Sequence, residues 1–434
     1  MEEKTRVLLV GVDTGEETDF ERSMREMQSL AEACDKQVAG VMTQRMAAVN
    51  KTYYIGTGKV KEVLDYAGEC GAEEIIFDNT LSPSQIRNLV KVLDMPIMDR
   101  TNLILDIFAL RARTNEAKMQ VEMARLQYLL PRLVGMHESL SRQGGTGGSM
   151  SNRGAGEKKL ELDRRRIEHR VAELRKELED VKRSRDTERK KRNASAVPQV
   201  ALVGYTNAGK STILNRMLTK YGRTPEKQVR EEDMLFATLE TSVRSIEPEN
   251  GIPFLLTDTV GFIHNLPHGL VKAFRSTLEE VRYADLLVQV VDFSDENYRL
   301  QMETTKETLK ELEIGDIPQI IVYNKVDRCP EGSVCSVGPD SIRMAAGRGI
   351  GIEELMALIQ RHLYRDFMIC DFLLPYSEGQ ILSRLMEQAV ILNREYREDG
   401  VLLKARCHRR EAAAYAGYLL RTLPDAEQTA GAWK

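Results

Sequence analysis

The chain carries 62 Lys and Arg against 66 Asp and Glu over 434 residues, so a net charge of -4 excludes reading a nucleic-acid partner from overall charge. That length predicts two to four domains, and 42% hydrophobic with 29% charged residues suits a soluble protein with real cores. No apolar run approaches the roughly 18 residues of a membrane span, the N-terminus lacks a secretory apolar core, and six scattered cysteines (Cys34, Cys70, Cys329, Cys335, Cys370, Cys407) hold no C-x-x-C pair, which points to a reduced, cytosolic protein.

In residues 1–105 strand and helix patterns alternate. Thr5–Val12 reads as a strand, Asp19–Cys34 as a helix, Gln37–Met42 as a strand, Lys59–Cys70 as a helix and Glu74–Phe77 as a strand. Ser82–Val92 is a helix with Ser82 at the N-cap and Pro83 at the first helical position, and Met95–Met98 closes the unit. Such alternation predicts a small α/β domain with a parallel sheet.

Residues 106–195 lose the strand signal. One helical stretch is expected over Asn102–Val134, ending near Pro131, then a flexible glycine-rich loop over 143–156. A second long helix follows from Glu157 to Arg192, where Leu160, Ile167, Leu174 and Val181 recur every seven residues with Val171 and Leu178 between them. The expectation is an antiparallel helical hairpin with a glycine-rich tip. Residues 196–365 form a second α/β block. Residues 366–434 form a small α+β unit, in which Gly379–Tyr396 reads as helix, Gly400–Cys407 as strand and Arg409–Arg421 as helix. The fold class is multidomain α/β.

Strand Gln199–Val203 runs into Gly204, Tyr205, Thr206, Asn207, Ala208, Gly209, Lys210 and Ser211, then a helix from Thr212 to Leu218. This is G-x-x-x-x-G-K-S between a strand and a helix. Its backbone N–H groups and the positive helix end suit phosphate oxygens. Lys210 is expected on the β- and γ-phosphates, and Ser211 on Mg²⁺. Phe254–Thr257 ends in Asp258, Thr259, Val260 and Gly261, a D-x-x-G pattern about fifty residues on, with Asp258 binding Mg²⁺ through water and Gly261 meeting the γ-phosphate. Between them, Phe236, Ala237 and Thr238 form a switch segment, with Thr238 closing on Mg²⁺ and γ-phosphate and Thr241 as the alternative. Lys210, Thr238 and Gly261 are the expected catalytic set.

The base is read by Asn324, Lys325 and Asp327, an N-K-x-D pattern at the end of an apolar strand. A carboxylate at Asp327 accepts from guanine N1–H and its exocyclic amine, whereas adenine would leave it unpaired. Lys325 is expected along the base, and Asn324 between this loop and the P-loop. Ala345 and Ala346 match a final loop that usually reads Ser-Ala-Lys, with the Ala346 N–H on guanine O6. The place where many GTPases carry a water-orienting glutamine holds Phe262, so slow unassisted turnover completed by a partner is expected. His264 and His268 are the nearby side chains that could act as bases. Asn207 is a candidate K⁺ ligand.

With those loops in place, the chain resembles the HflX family of GTPases. The resemblance is carried by Tyr53-Tyr-Ile-Gly-Thr-Gly-Lys59, Phe77-Asp-Asn-Thr-Leu-Ser82, Lys118-Met-Gln-Val-Glu-Met-Ala-Arg-Leu-Gln-Tyr-Leu-Leu-Pro-Arg132, Gly154-Ala-Gly-Glu-Lys-Lys-Leu-Glu-Leu-Asp-Arg164 and Leu235-Phe-Ala-Thr-Leu-Glu240, over residues 5–425. It implies an N-terminal module with a helical hairpin, a Ras-like GTPase domain and a small C-terminal domain. It also implies binding to the large ribosomal subunit and its rRNA, ribosome splitting under stress, ribosome-stimulated hydrolysis and a monomeric cytoplasmic protein with a peripheral membrane-associated fraction. The basic residues Arg142, Arg153, Lys158, Lys159, Arg164, Arg165 and Arg166 near the hairpin tip suit RNA phosphates. Interleaved Glu157, Glu161, Asp163 and Glu168 are the counter-observation, suiting a solvated coiled-coil face, and the RNA reading is the favoured one.

Overall fold

Apolar strands with both faces buried need helices to cover them, and the N-terminal alternation supplies both. The computed structural model describes residues 4–15, 20–143, 151–193, 197–222, 235–236, 239, 241–249, 251–264, 270, 279–329 and 336–423. In it β1 (Arg6–Asp13), α1 (Phe20–Ala33), β2 (Gln37–Arg45), α2 (Thr57–Cys70), β3 (Glu74–Phe77), α3 (Pro83–Leu93) and β4 (Ile97–Asp99) follow in order. The strands form one parallel sheet ordered β2-β1-β3-β4. Leu8, Val10, Ile55, Ile75, Phe77 and Leu89 fill its core. Ser82 starts α3 with a capping box: its Oγ accepts from the Gln85 N–H at 3.3 Å, and Gln85 Oε1 accepts from the Ser82 N–H at 2.9 Å.

The helical segment differs from expectation in two ways. The stretch expected over Asn102–Val134 is two helices, α4 (Arg100–Arg111) and α5 (Asn115–Gln143). Thr114 restarts the chain, its Oγ1 accepting from the Ala117 N–H at 3.2 Å. Pro131 lies inside α5, where it forfeits one backbone hydrogen bond without ending the helix. α6 (Ser151–Asn193) begins before Glu157, so part of the expected glycine-rich loop is helical. Extending a formed helix adds one hydrogen bond per residue fixed, which favours propagation into that loop. Residues 144–150 and 194–196, the rest of the expected tip and linker, lie outside the described residues. Arg170 on α6 donates to both carboxylate oxygens of Glu122 on α5, at 2.8 and 3.1 Å, the pairing an antiparallel hairpin needs. Val121, Ala124, Val171 and Leu174 are buried along these helices.

By its contacts the chain divides into two compact units, Met1–Arg183 with Glu232–Glu240 and Gly261–Thr277, and Ser184–Glu231 with Thr241–Val260 and Leu278–Lys434. The second holds β5 (Gln199–Gly204), α7 (Lys210–Tyr221), β6 (Ser242–Ile246), β7 (Phe254–Asp258), β8 (Leu286–Asp292), α8 (Tyr298–Glu311), β9 (Gln319–Asn324), β10 (Ser336–Val337), β11 (Ser341–Arg343) and α9 (Ile352–Leu363). The sheet order is β10-β11-β9-β8-β5-β7-β6, parallel except at its two edges. Its core joins Val200, Leu202, Leu256, Val288 and Val322 to Ile213, Leu355 and Ile359 of the covering helices.

The C-terminal part of that unit is more β-rich than expected. An antiparallel sheet ordered β13-β14-β12-β15 combines β12 (Phe367–Leu374), β13 (Val390–Arg397), β14 (Gly400–His408) and β15 (Leu419–Leu423). The helix expected over Gly379–Tyr396 stops as α10 (Gly379–Gln388), because the run from Val390 pairs with β14 across a tight turn ending at Gly400. The helix expected over Arg409–Arg421 is only α11 (Arg409–Ala414), since Leu419–Leu423 completes the edge of β12. Phe367 at the start of β12 joins the core of the larger sheet. Among the described residues no helix is long and apolar enough to cross a membrane.

Candidate functional site

Parallel order brings the ends of β5, β7, β8, β9 and β11 to one edge, where open α/β sheets take ligands. At the end of β5 the chain turns through Gly204 (φ +144°) and Gly209 (φ +98°), both in the left-handed region. A Cβ at Gly204 would strike the Val290 carbonyl, and one at Gly209 would strike Asn324 Nδ2. Asn207 also takes positive φ, at +58°. The loop therefore keeps its curl only with glycine at its two ends.

Lys210 lies buried under this curl, its Nζ donating to the carbonyls of Gly204 at 3.1 Å and Tyr205 at 2.8 Å. Burial pushes its pKa down to about 8, opposed by the charge of Asp258 and helped by that of Lys325. Ser211 Oγ donates to Asp258 Oδ2 at 2.6 Å, so the hydroxyl and the carboxylate expected at a metal are side by side. Asp258 and Thr259 are fully buried, and Thr259 Oγ1 donates to the Leu202 carbonyl at 2.7 Å, which fixes the strand end. Thr206 and Ala208 are buried, Thr212 is half-buried and Asn207 is exposed. A hydroxyl and a carboxylate side by side are hard-oxygen donors of the kind Mg²⁺ takes.

On the base side, Asn324 Nδ2 donates to the Ala208 carbonyl at 2.9 Å and its Oδ1 accepts from the Ala346 N–H at 3.0 Å. One buried amide thus ties three loops. The Ala346 N–H, expected on guanine O6, is committed to Asn324 here. Lys325 Nζ lies 2.9 Å from Asp292 Oδ2 and 3.5 Å from Asn207 Oδ1. Asp327 Oδ2 lies 3.0 Å from Arg348 Nε. Sequence reasoning missed Asp292 and Arg348. Asp292 ends the apolar run of β8 and sits in register with Asn324, a juxtaposition only the strand order reveals.

Phe236, Gly261 and Phe262 belong by contacts to the first unit. There Phe236 meets Phe108 edge-on, with centroids 4.8 Å apart, and Phe262 and Ile263 are each 2% exposed. The His264 carbonyl accepts from Arg100 at 3.1 Å. Val260 of the second unit is buried. Ala237, Thr238 and His268 lie outside the described residues, and Thr241 is half-buried before β6.

On the hairpin, the side chains of Arg142, Arg153, Lys158 and Lys159 lie outside the described residues. Arg164 pairs with Glu168 and Arg165 with Glu161, each at 2.9 Å, and Arg166 lies 3.6 Å from Asp163. These are exposed pairs one helical turn apart, of the kind that contributes little to stability.

Three family models match the chain in sequence order. "GTP-binding GTPase N-terminal" covers residues 21–109, "GTP-binding GTPase Middle Region" 111–192 and "50S ribosome-binding GTPase" 199–325. A relative named GTPase HflX from Lacrimispora saccharolytica is 44% identical over 402 residues, 92% of this chain and 93% of its own. GTPase HflX from Escherichia coli is 37% identical over 400 residues, 91% of each chain. The solved structure described as "crystal structure of SsGBP and GDP complex" covers 82% of this chain and 97% of its own at 28% identity, with a TM-score of 0.46.

Proposed function

Because the chain belongs to the HflX family of GTPases, we propose that its hydrolysis of GTP drives work on ribosomes: it binds the large subunit when GTP-bound and splits stalled or idle ribosomes under stress. GTP binding and hydrolysis are the properties of its class. The ribosomal partner is the further step, and the observation that supports it is the match of residues 199–325 to a model described as a 50S ribosome-binding GTPase.

In this reading Asp327 reads guanine, Lys325 flanks the base and Asn324 holds the loops together. Lys210, the Gly204–Ser211 backbone and Gly261 bind the phosphates. Ser211 and Thr238 ligate Mg²⁺ and Asp258 holds it through water, with K⁺ at Asn207. Phe262 offers no hydrogen bond to a water, so hydrolysis is completed by a group from the partner. The exposed ion pairs of Arg164, Arg165 and Arg166 are weak enough to be exchanged for rRNA phosphates near the hairpin tip.

The test is sedimentation of whole ribosomes with the full chain and either GTP or a non-hydrolysable analogue. New free subunits are the expected result. Co-sedimentation with intact ribosomes would instead mark a GTP-gated ribosome-binding scaffold, and no association would remove the ribosomal reading.

A further inference from the structure

A carboxylate that reads a base must be ionised and aimed, and in a loop open to water something has to hold it. Asp327 stands on a single 3-10 turn (Val326–Arg328) with its side chain 22% exposed. The side chains at Ala345 and Ala346 in the facing loop cannot hydrogen-bond. Arg348, from the turn Ala346–Arg348, reaches across with Nε 3.0 Å from Asp327 Oδ2.

The backbone beneath Arg348 is fixed from three sides. The Ala346 N–H donates to Asn324 Oδ1 at 3.0 Å, and Arg216 of α7 donates to the Gly347 carbonyl at 2.6 Å. Gly349 closes the turn with φ +73°, its N–H on the Ala346 carbonyl at 3.0 Å. Arg348 is thus carried by a turn bonded both to the base-reading loop and to the helix that follows the P-loop.

Each carboxylate oxygen offers two lone pairs. Guanine N1–H and the exocyclic amine take one on each oxygen, which leaves one on Oδ2 for Arg348. The geometry points to Arg348 as a positioning residue for guanine recognition, holding Asp327 turned toward the base where Ala345 and Ala346 cannot. This rests on the reading of Asp327 as the guanine-binding carboxylate. An exposed ion pair contributes little by itself. Its effect here is to order the carboxylate before the base arrives, so that less order is lost on binding.

The experiment is equilibrium titration of the full chain with fluorescent GDP and xanthosine diphosphate. The proteins are wild type, Arg348→Ala, Arg348→Lys, Asp327→Asn and the double variant Asp327→Asn/Arg348→Ala. Arg348 is 65% exposed on its side chain, so truncation opens no core, and the thermal midpoint serves as the folding control. Arg348→Ala should weaken GDP binding by about fivefold, the upper range for an exposed pair, and Arg348→Lys should restore part of it. In the Asp327→Asn background, which has no carboxylate to hold, Arg348→Ala should leave xanthosine diphosphate binding unchanged. Unchanged or tighter GDP binding in Arg348→Ala, or an equal loss for xanthosine diphosphate in the double variant, overturns the proposal. A wild type that fails to prefer GDP over xanthosine diphosphate defeats the underlying reading of Asp327 instead, and the wild-type arm shows it separately.

Discussion

In the proposed reading, Lys210 is the side chain on which phosphate binding leans most. Its Nζ is held by two loop carbonyls, in a place where burial disfavours its charge. An arriving phosphate supplies the anion that restores that charge, so Lys210→Ala should weaken GTP binding by about 10- to 100-fold, the worth of a charge-assisted hydrogen bond. Fluorescent-nucleotide titration measures it. At the other end of the site, Asp327→Asn should reverse base preference, because xanthine carries a carbonyl where guanine carries the amine that the carboxylate accepts from. Competition between GDP and xanthosine diphosphate would show the reversal, and retained guanine preference would contradict it. Gly204–Ser211, Asp258–Gly261 and Asn324–Asp327 were legible because each is a contiguous run whose backbone or side chains act together. The pairs Lys325–Asp292 and Asp327–Arg348 were not, since each joins residues that only strand order brings near.

Element boundaries carry a second set of predictions. α4 opens on Arg100, which is buried and pairs with Asp78 at 2.7 Å and with Glu26, both themselves buried, besides donating to the His264 carbonyl. Arg100→Ala takes the guanidinium away from both carboxylates and should cost about 3–5 kcal/mol in urea unfolding. Arg100→Lys should recover little, because an ammonium cannot span both partners. In α9, His362 is buried with Nε2 2.9 Å from Asp340. Burial, aided by Arg365, lowers its pKa against the opposing pull of Asp340. A depressed folded-state pKa favours the neutral ring, so this contribution is complete above the unfolded value near 6.5 and is lost as pH falls below it. Thermal melts of His362→Asn should therefore show a shallower loss of stability between pH 6.5 and 5 than the wild type. The N-terminal strands and helices were legible from periodicity, whereas β13 and β15 were not. Val390–Arg397 has no clean alternation, its exposed residues following one another, and its strand form is set by pairing with β14. Thr114 likewise divides a run whose apolar spacing continues across the break.

For the whole molecule, the order of segments was legible: an α/β module, a helical hairpin, a nucleotide-binding sheet and a small terminal sheet follow one another as expected. The assignment of the switch segments was not. Glu232–Glu240 and Gly261–Thr277 flank strands of the second unit in sequence yet share the contacts of the first. Apolar residues decide this: Phe236 packs on Phe108, and Phe262 and Ile263 are buried rather than presented to solvent. A GTPase whose residue after D-x-x-G is a buried phenylalanine has no side chain there to orient water, and in the proposed reading a partner supplies the missing group. The direct measurement is the rate of GTP hydrolysis by the full chain with and without purified large ribosomal subunits, with Lys210→Ala as the inactive control. The account predicts slow turnover alone and a rise of at least about tenfold with subunits, absent in Lys210→Ala; a wild-type rate indifferent to large subunits would contradict it.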